Sequence, residues 1–114
     1  MPPSAASVTC VDVRYNGIKG DGASQLSAAV LANTKIEVFN EIPIKEMRTD
    51  SFTELNLKGK GIGVEGSMVV AGLLPVMGSI KRLNVQFNRL GKQGEAVLCK
   101  AIEGRSGFQL KLCA

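Results

Sequence analysis

The chain has no histidine and no tryptophan, and its aromatics amount to one tyrosine and four phenylalanines. Without imidazole it lacks the commonest general base, the commonest zinc ligand and any triad that routes a proton through histidine. Chemistry would have to run on carboxylates, lysines or a lone cysteine, so the composition points to a non-enzymatic protein without cofactor or metal. Cysteine is scarce too. Cys10, Cys99 and Cys113 are odd in number and show no CxxC spacing, which signals neither a disulfide framework nor a zinc knuckle and fits a reducing, intracellular compartment. No five like charges follow one another and no aromatics interleave the basic residues, so nucleic acid is disfavoured as a partner. Long apolar runs are also missing. Met68 to Met77 contains Gly72 and Pro75 and is too short to cross a bilayer. The opening MPPSAAS has neither the basic nor the apolar region of a secretory signal. The expectation is a soluble protein without membrane insertion.

What is present is the material of one folded domain. The 114 residues are 45% hydrophobic against 21% charged, the balance of a core built from aliphatic side chains. Fourteen basic against ten acidic residues give +4 and a pI near 9.2, which permits anionic partners without requiring them. Thirteen glycines exceed the average share of about 7%, and their placement turns out to be periodic.

Three stretches superpose: Val8 to Ile18, Phe52 to Ile62 and Ile80 to Leu90, with a truncated Leu110-Lys-Leu112 at the end and a shorter relative, Ile36-Glu-Val38, after the first. Each long stretch fits aliphatic-xx-aliphatic-x-aliphatic-xx-Asn-x-aliphatic. Taking the first aliphatic of the central pair as marker gives Val11, Ile36, Leu55, Leu83 and Leu110, spaced by 25, 19, 28 and 27 residues, the period of a leucine-rich repeat. Four residues after Ile18, Ile62 and Leu90 comes a glycine: Gly22, Gly66 and Gly94. Beyond each glycine, Leu26 with Ala29 and Val30, Val70 with Leu73 and Leu74, and Leu98 with Ala101 and Ile102 fall on one helical face. Each unit is therefore expected to be strand, turn and helix, with Asn16 and Asn88 as ladder residues that hydrogen-bond turn backbone.

These columns resemble the leucine-rich repeats of the ribonuclease-inhibitor-like class, and the resemblance covers Val8 to Leu112. It implies an α/β fold: a right-handed solenoid, a horseshoe segment with parallel strands on the concave side and helices on the convex side. About 4 to 4.5 repeats fit the length. Residues 1–7 would be an N-terminal extension and 8–114 a single domain of units 8–33, 34–51, 52–79, 80–106 and a partial 107–114. The resemblance also implies an intracellular protein-binding role. Two departures stand out. Lys60 replaces the ladder Asn of the third unit, so its turn must be satisfied otherwise. The second unit is short and contains Ile42-Pro43-Ile44, where proline stops helix formation. It is expected to lack a full helix and to leave a notch between the helices of units one and three.

Gly61-Ile-Gly63-Val-Glu-Gly66 is a literal GxGxxG, but a dinucleotide site needs an acid about 20 residues further on. No Asp or Glu lies between Glu65 and Glu95, so a structural loop is expected. Cys99 reads as a small apolar helix residue; Cys10 and Cys113 flank strands as unactivated thiols. Asp12, Glu37 and Glu54 read as a solvated charge ladder rather than an acid pair.

Residues between the inward aliphatics should face the concave side. The central row would read Asp12, Glu37, Asn56, Asn84, Lys111, flanked by Cys10, Lys35, Glu54, Arg82, Gln109 and by Arg14, Phe39, Lys58, Gln86, Cys113. The protein-binding candidates are Arg14, Glu37, Phe39, Lys58, Arg82 and Lys111, with Phe39 as the aromatic anchor. The alternative is an anionic-ligand or RNA-binding surface using Lys58, Arg82 and Lys111. The few residues outside the end strands leave strand edges to be covered by another protein or by more of the same polypeptide. A small subunit or scaffold docked in a larger assembly, or the end of a longer repeat array, with no small-molecule substrate, is the expectation.

Overall fold

The computed structural model describes residues 9–112. The extension 1–7, Val8 and Cys113 lie outside the described residues. In chain order the elements are β1 (Cys10–Val11), α1 (Gly20–Ala32), β2 (Val38–Phe39), α2 (Ile44–Met47), β3 (Glu54–Asn56), α3 (Gly63–Leu73) followed by a 3-10 turn (Leu74–Val76), β4 (Arg82–Asn84), α4 (Gly91–Ala101) and β5 (Gln109–Lys111). Strand and helix alternate, and every strand pair is parallel, because each helix returns the chain to the same end of its sheet.

In the C-terminal half the columns read from the sequence are the observed register. Leu55, Leu83 and Leu110 are paired neighbours, as are Glu54, Arg82 and Gln109, and Asn56, Asn84 and Lys111. Leu83 and Val85 are buried with Leu55 and Leu57, while Glu54 and Arg82 remain exposed. This is the period-two alternation of a strand with one wet face.

The N-terminal half differs in two ways. Val11 pairs with Phe39 and Cys10 with Val38, so the strand marker of the second unit is Phe39 rather than Ile36. The shift is odd in number, which exchanges the two faces of the strand. It takes Phe39 into the core with Ile42, Ile44 and Met47, all fully buried. Burying a phenylalanine stabilises by about 1.5–3 kcal/mol relative to exposing it, and this decides the register.

The second difference is that the strands form two sheets, β1-β2 and β3-β4-β5, so the single concave wall expected of a solenoid does not form. Val38 donates to Thr9, just before β1, and Asn40 to Val11 of β1 (3.0 and 2.9 Å), leaving the Phe39 amide and carbonyl to face the other way. Both are taken by Ile42, whose carbonyl accepts from Phe39 N–H (3.1 Å) and whose N–H donates back (2.7 Å). The edge that β3 would have joined is closed by this local bridge. Pro43 follows at once, and only the four residues of α2 coil after it.

The notch expected in the helix layer is absent as well. α1 packs directly on α3, and α3 on α4. A Cβ on Gly72 of α3 would lie 2.4 Å from Leu31 Cδ1 of α1, so a missing side chain lets the two helices close over the short unit. α3 is consequently buried on a wide arc, with Gly66, Ser67, Val69, Val70 and Leu73 inside. Outer α4 buries only Gly94 and Leu98. Cys99 falls within α4, as read from the sequence, on its exposed side, and Cys10 is exposed too. One hydrophobic core runs from Val30 and Ile36 through Phe39, Val69 and Leu83 to Leu98.

Candidate interaction surface

Asn88 is buried at the turn after β4. Its Oδ1 accepts from Lys60 N–H (2.9 Å) and Ile62 N–H (3.2 Å), and its Nδ2 donates to Leu57 O (2.7 Å) and Gln86 O (3.2 Å). The third unit, which has Lys60 in place of its own ladder residue, is thus satisfied by the asparagine of the next. Asn16 bonds its own turn at Val13 O (2.8 Å) and Arg14 O (3.3 Å) but stays exposed. Sequence reasoning missed Asn40, which does for the first unit what Asn88 does for the third. Its Oδ1 accepts from Val13 N–H (2.9 Å), and its Nδ2 donates to Ile62 O (3.1 Å) and Glu65 Oε2 (3.0 Å). The available signal was an asparagine directly after two apolar strand residues, hidden by the assumed register.

The strand face of β3-β4-β5 forms a shallow recess of about 380 Å³ lined by Glu54, Asn56, Arg82, Asn84, Gln109 and Lys111, with Leu55 and Leu83 between them turning their side chains into the core. Arg82 and Lys111 are brought together there. Arg82 reaches Glu54 at 3.8 Å with both side chains largely in water, an ion pair of little energetic weight. Lys58 is not in the recess; its ammonium stands 5.3 Å from the centre of the Phe87 ring. Glu37 precedes β2 and pairs with Lys45 at 3.6 Å, so it does not stand beside Asp12 as the aligned row implied.

Two candidates change role. Phe39 is fully buried and cannot anchor a partner. The Arg14 guanidinium is engaged within the chain: by Asp12 through bonds of 2.7–3.0 Å, by Glu41 at 3.0 Å and by Lys60 O at 2.9 Å. It ties the first unit to the third across the short one. The same contact holds the Asp12 carboxyl below its ordinary value, chiefly through the Arg14 side-chain hydrogen bond, and raises Arg14 in turn.

Residues 4–27 are similar to a leucine-rich repeat: the matching family model carries that description. The matched stretch includes β1 and the start of α1. No curated protein and no solved structure matches the chain at a significant level.

The glycine-rich GxGxxG segment forms the turn into α3. Gly61 and Gly63 have φ of 69° and 70°, a conformation glycine adopts without penalty. Glu65, only 3% exposed, lies beside Gly63 where a phosphate would have to sit. Among the described residues no group of three His, Cys, Asp or Glu is clustered to hold a metal ion. No described helix is long and apolar enough to cross a membrane.

Proposed function

We propose that the chain is a non-enzymatic protein-binding module of leucine-rich repeat type, a small subunit or scaffold that meets its partner on the strand face of β3-β4-β5. The observation that carries this is the recess on that face. Its polar rows Glu54-Arg82-Gln109 and Asn56-Asn84-Lys111 stand in register side by side. A regular array of mixed charge and amide groups suits an orienting contact with another folded surface. Repeats of this kind generally serve protein association, which supports the reading, as does the intracellular class the full set of columns resembles.

The test is photo-crosslinking from a benzophenone placed at Asn84, in a nuclease-treated lysate of the native source. The wild type should capture protein. The double variant Arg82→Glu with Lys111→Glu should lose about tenfold or more of that capture, as loss of contact residues does, at unchanged melting temperature. The competing reading is an anionic or RNA ligand at the same cations. Filter binding whose log K falls steeply and linearly with log salt would establish it instead.

A further inference from the structure

The edge of the molecule where strands hand over to helices carries two large rings in solvent. Tyr15 is 66% exposed and Phe87 55%. Each stands four residues beyond the inward aliphatic of its strand, Val11 and Leu83, and the third unit has Gly59 at that place after Leu55. All three positions are left-handed, with φ of 65° at Tyr15, 68° at Gly59 and 60° at Phe87. Glycine occupies this conformation freely, whereas an L side chain costs about 1–2 kcal/mol there. Rings left mostly in water recover little of that by burial. Folding alone would favour glycine at positions 15 and 87, as at 59, and strain kept at an exposed site points to use.

The rings are accompanied by cations. The Arg89 guanidinium, itself on a left-handed residue with φ 55°, lies 5.5 Å from the Tyr15 ring centre, with Arg14 at 5.8 Å and Lys58 at 5.3 Å from Phe87. Arg14 is neutralised by Asp12 and Glu41, but Arg89 and Lys58 have no ion pair among the described residues. Lys19 joins Tyr15 and Arg89 around a recess of about 270 Å³. Of the nearby acids, Asp12 and Glu41 both engage Arg14, and Glu65 also lines this recess, where it accepts from Asn40. The edge is therefore aromatic, with Arg89 and Lys58 as its cations outside any ion pair among the described residues.

We propose that this loop edge is a second docking surface that takes an acidic peptide segment with apolar side chains. The segment's carboxylates meet Arg89 and Lys58, and its apolar groups lie against Tyr15 and Phe87. Charge complementarity selects the acid. A single-stranded nucleic acid needs open ring faces on which to stack, and here guanidinium and ammonium groups already stand beside both rings. The surface is distinct from the strand face, so either assignment can fail alone.

The test is fluorescence anisotropy on the full chain. The probes are a fluorescein-labelled peptide alternating Glu and Leu, its Gln-Leu counterpart of equal length, and an oligouridylate. The Glu-Leu peptide should bind in preference to both others. Tyr15→Gly with Phe87→Gly should weaken binding about tenfold or more, as removal of aromatic anchors does, while the melting temperature holds or rises because strain is relieved. Arg89→Gln with Lys58→Gln should weaken it similarly, and Arg82→Glu with Lys111→Glu should leave it unchanged. The proposal is overturned by no binding of the Glu-Leu peptide, by equal binding of the Gln-Leu peptide, or by tighter binding of the oligouridylate. It is equally overturned if the glycine variant retains affinity, or melts lower and so shows the rings to be structural.

Discussion

Asn88 shows how one polar side chain can decide whether a turn is stable. Four hydrogen bonds converge on its amide in a place without water, and they join two consecutive units. Asn88→Ala leaves the Ile62 amide unpaired and the Lys60 amide and Leu57 carbonyl with only their 3.4 Å bond to each other, so the variant should lose about 1–3 kcal/mol of unfolding free energy, the scale of orphaned buried groups. Urea denaturation measures this directly. Asn16→Ala breaks bonds in an exposed turn and should cost under about 1 kcal/mol. Asp12 offers a pH test. Its carboxyl titrates below the ordinary 3.8, chiefly because Arg14 donates to it. A depressed folded value means the contact contributes above the unfolded value and is lost as pH falls through the folded one. NMR titration should place the Asp12 midpoint below 3.8, and Arg14→Gln should move it back up; an unmoved midpoint would remove Arg14 as the cause.

At the scale of elements, three glycines that look equivalent in the repeat behave differently. Gly22 of α1 has open space where a Cβ would go. A Cβ on Gly66 of α3 would stand 2.7 Å from Ile62 Cβ and 3.2 Å from Ile42 Cδ1, and one on Gly94 of α4 would stand 2.6 Å from Ser67 Oγ. Helix propensity favours alanine at each by about 1 kcal/mol. Gly22→Ala should therefore stabilise by roughly that amount. Gly66→Ala should destabilise by about 1–3 kcal/mol, the cost of overpacking, because Ile62 Cβ is fixed to its own backbone and cannot move aside. Thermal melts of the pair decide it, and the same sign for both would refute the packing argument. The column was legible in the sequence as spacing; which glycine is obligatory depends on the helix beside it. Gly22 lies on the open side of α1, whereas Gly66 lies against the core residues Ile42 and Ile62.

At the scale of the whole molecule the open question is whether two sheets make two folding units. The radius of gyration of 13.7 Å is close to the roughly 13 Å of a globular chain this long. The halves share α1 against α3, the Arg14 tie to Lys60 O, and the Asn40 bonds to Ile62 and Glu65. The core is also continuous across them. Urea unfolding should be a single transition that coincides by circular dichroism and by amide exchange, with Val69 and Val70 of α3 slowest to exchange and Cys10 and Val11 fastest among the strands. Two separated transitions would mean that the break between β2 and β3 divides the molecule.

The amino-acid sequence by itself determined the alternation of strand and helix, the register of β3, β4 and β5, the role of Asn88 and the failure of a full helix after Pro43. All of these follow from periodicity and local backbone chemistry, which are written in neighbouring residues. Only the tertiary structure decided the rest. Phe39 entered the core because an odd register shift buries more apolar surface, and Ile42 closed the strand edge that β3 would have used. α1 met α3 because Gly72 let it approach, and Arg14 turned from a surface residue into a tie. Each of these outcomes is a competition between groups distant in the chain for the same space or the same hydrogen bond, and spacing along the sequence carries no record of which one wins.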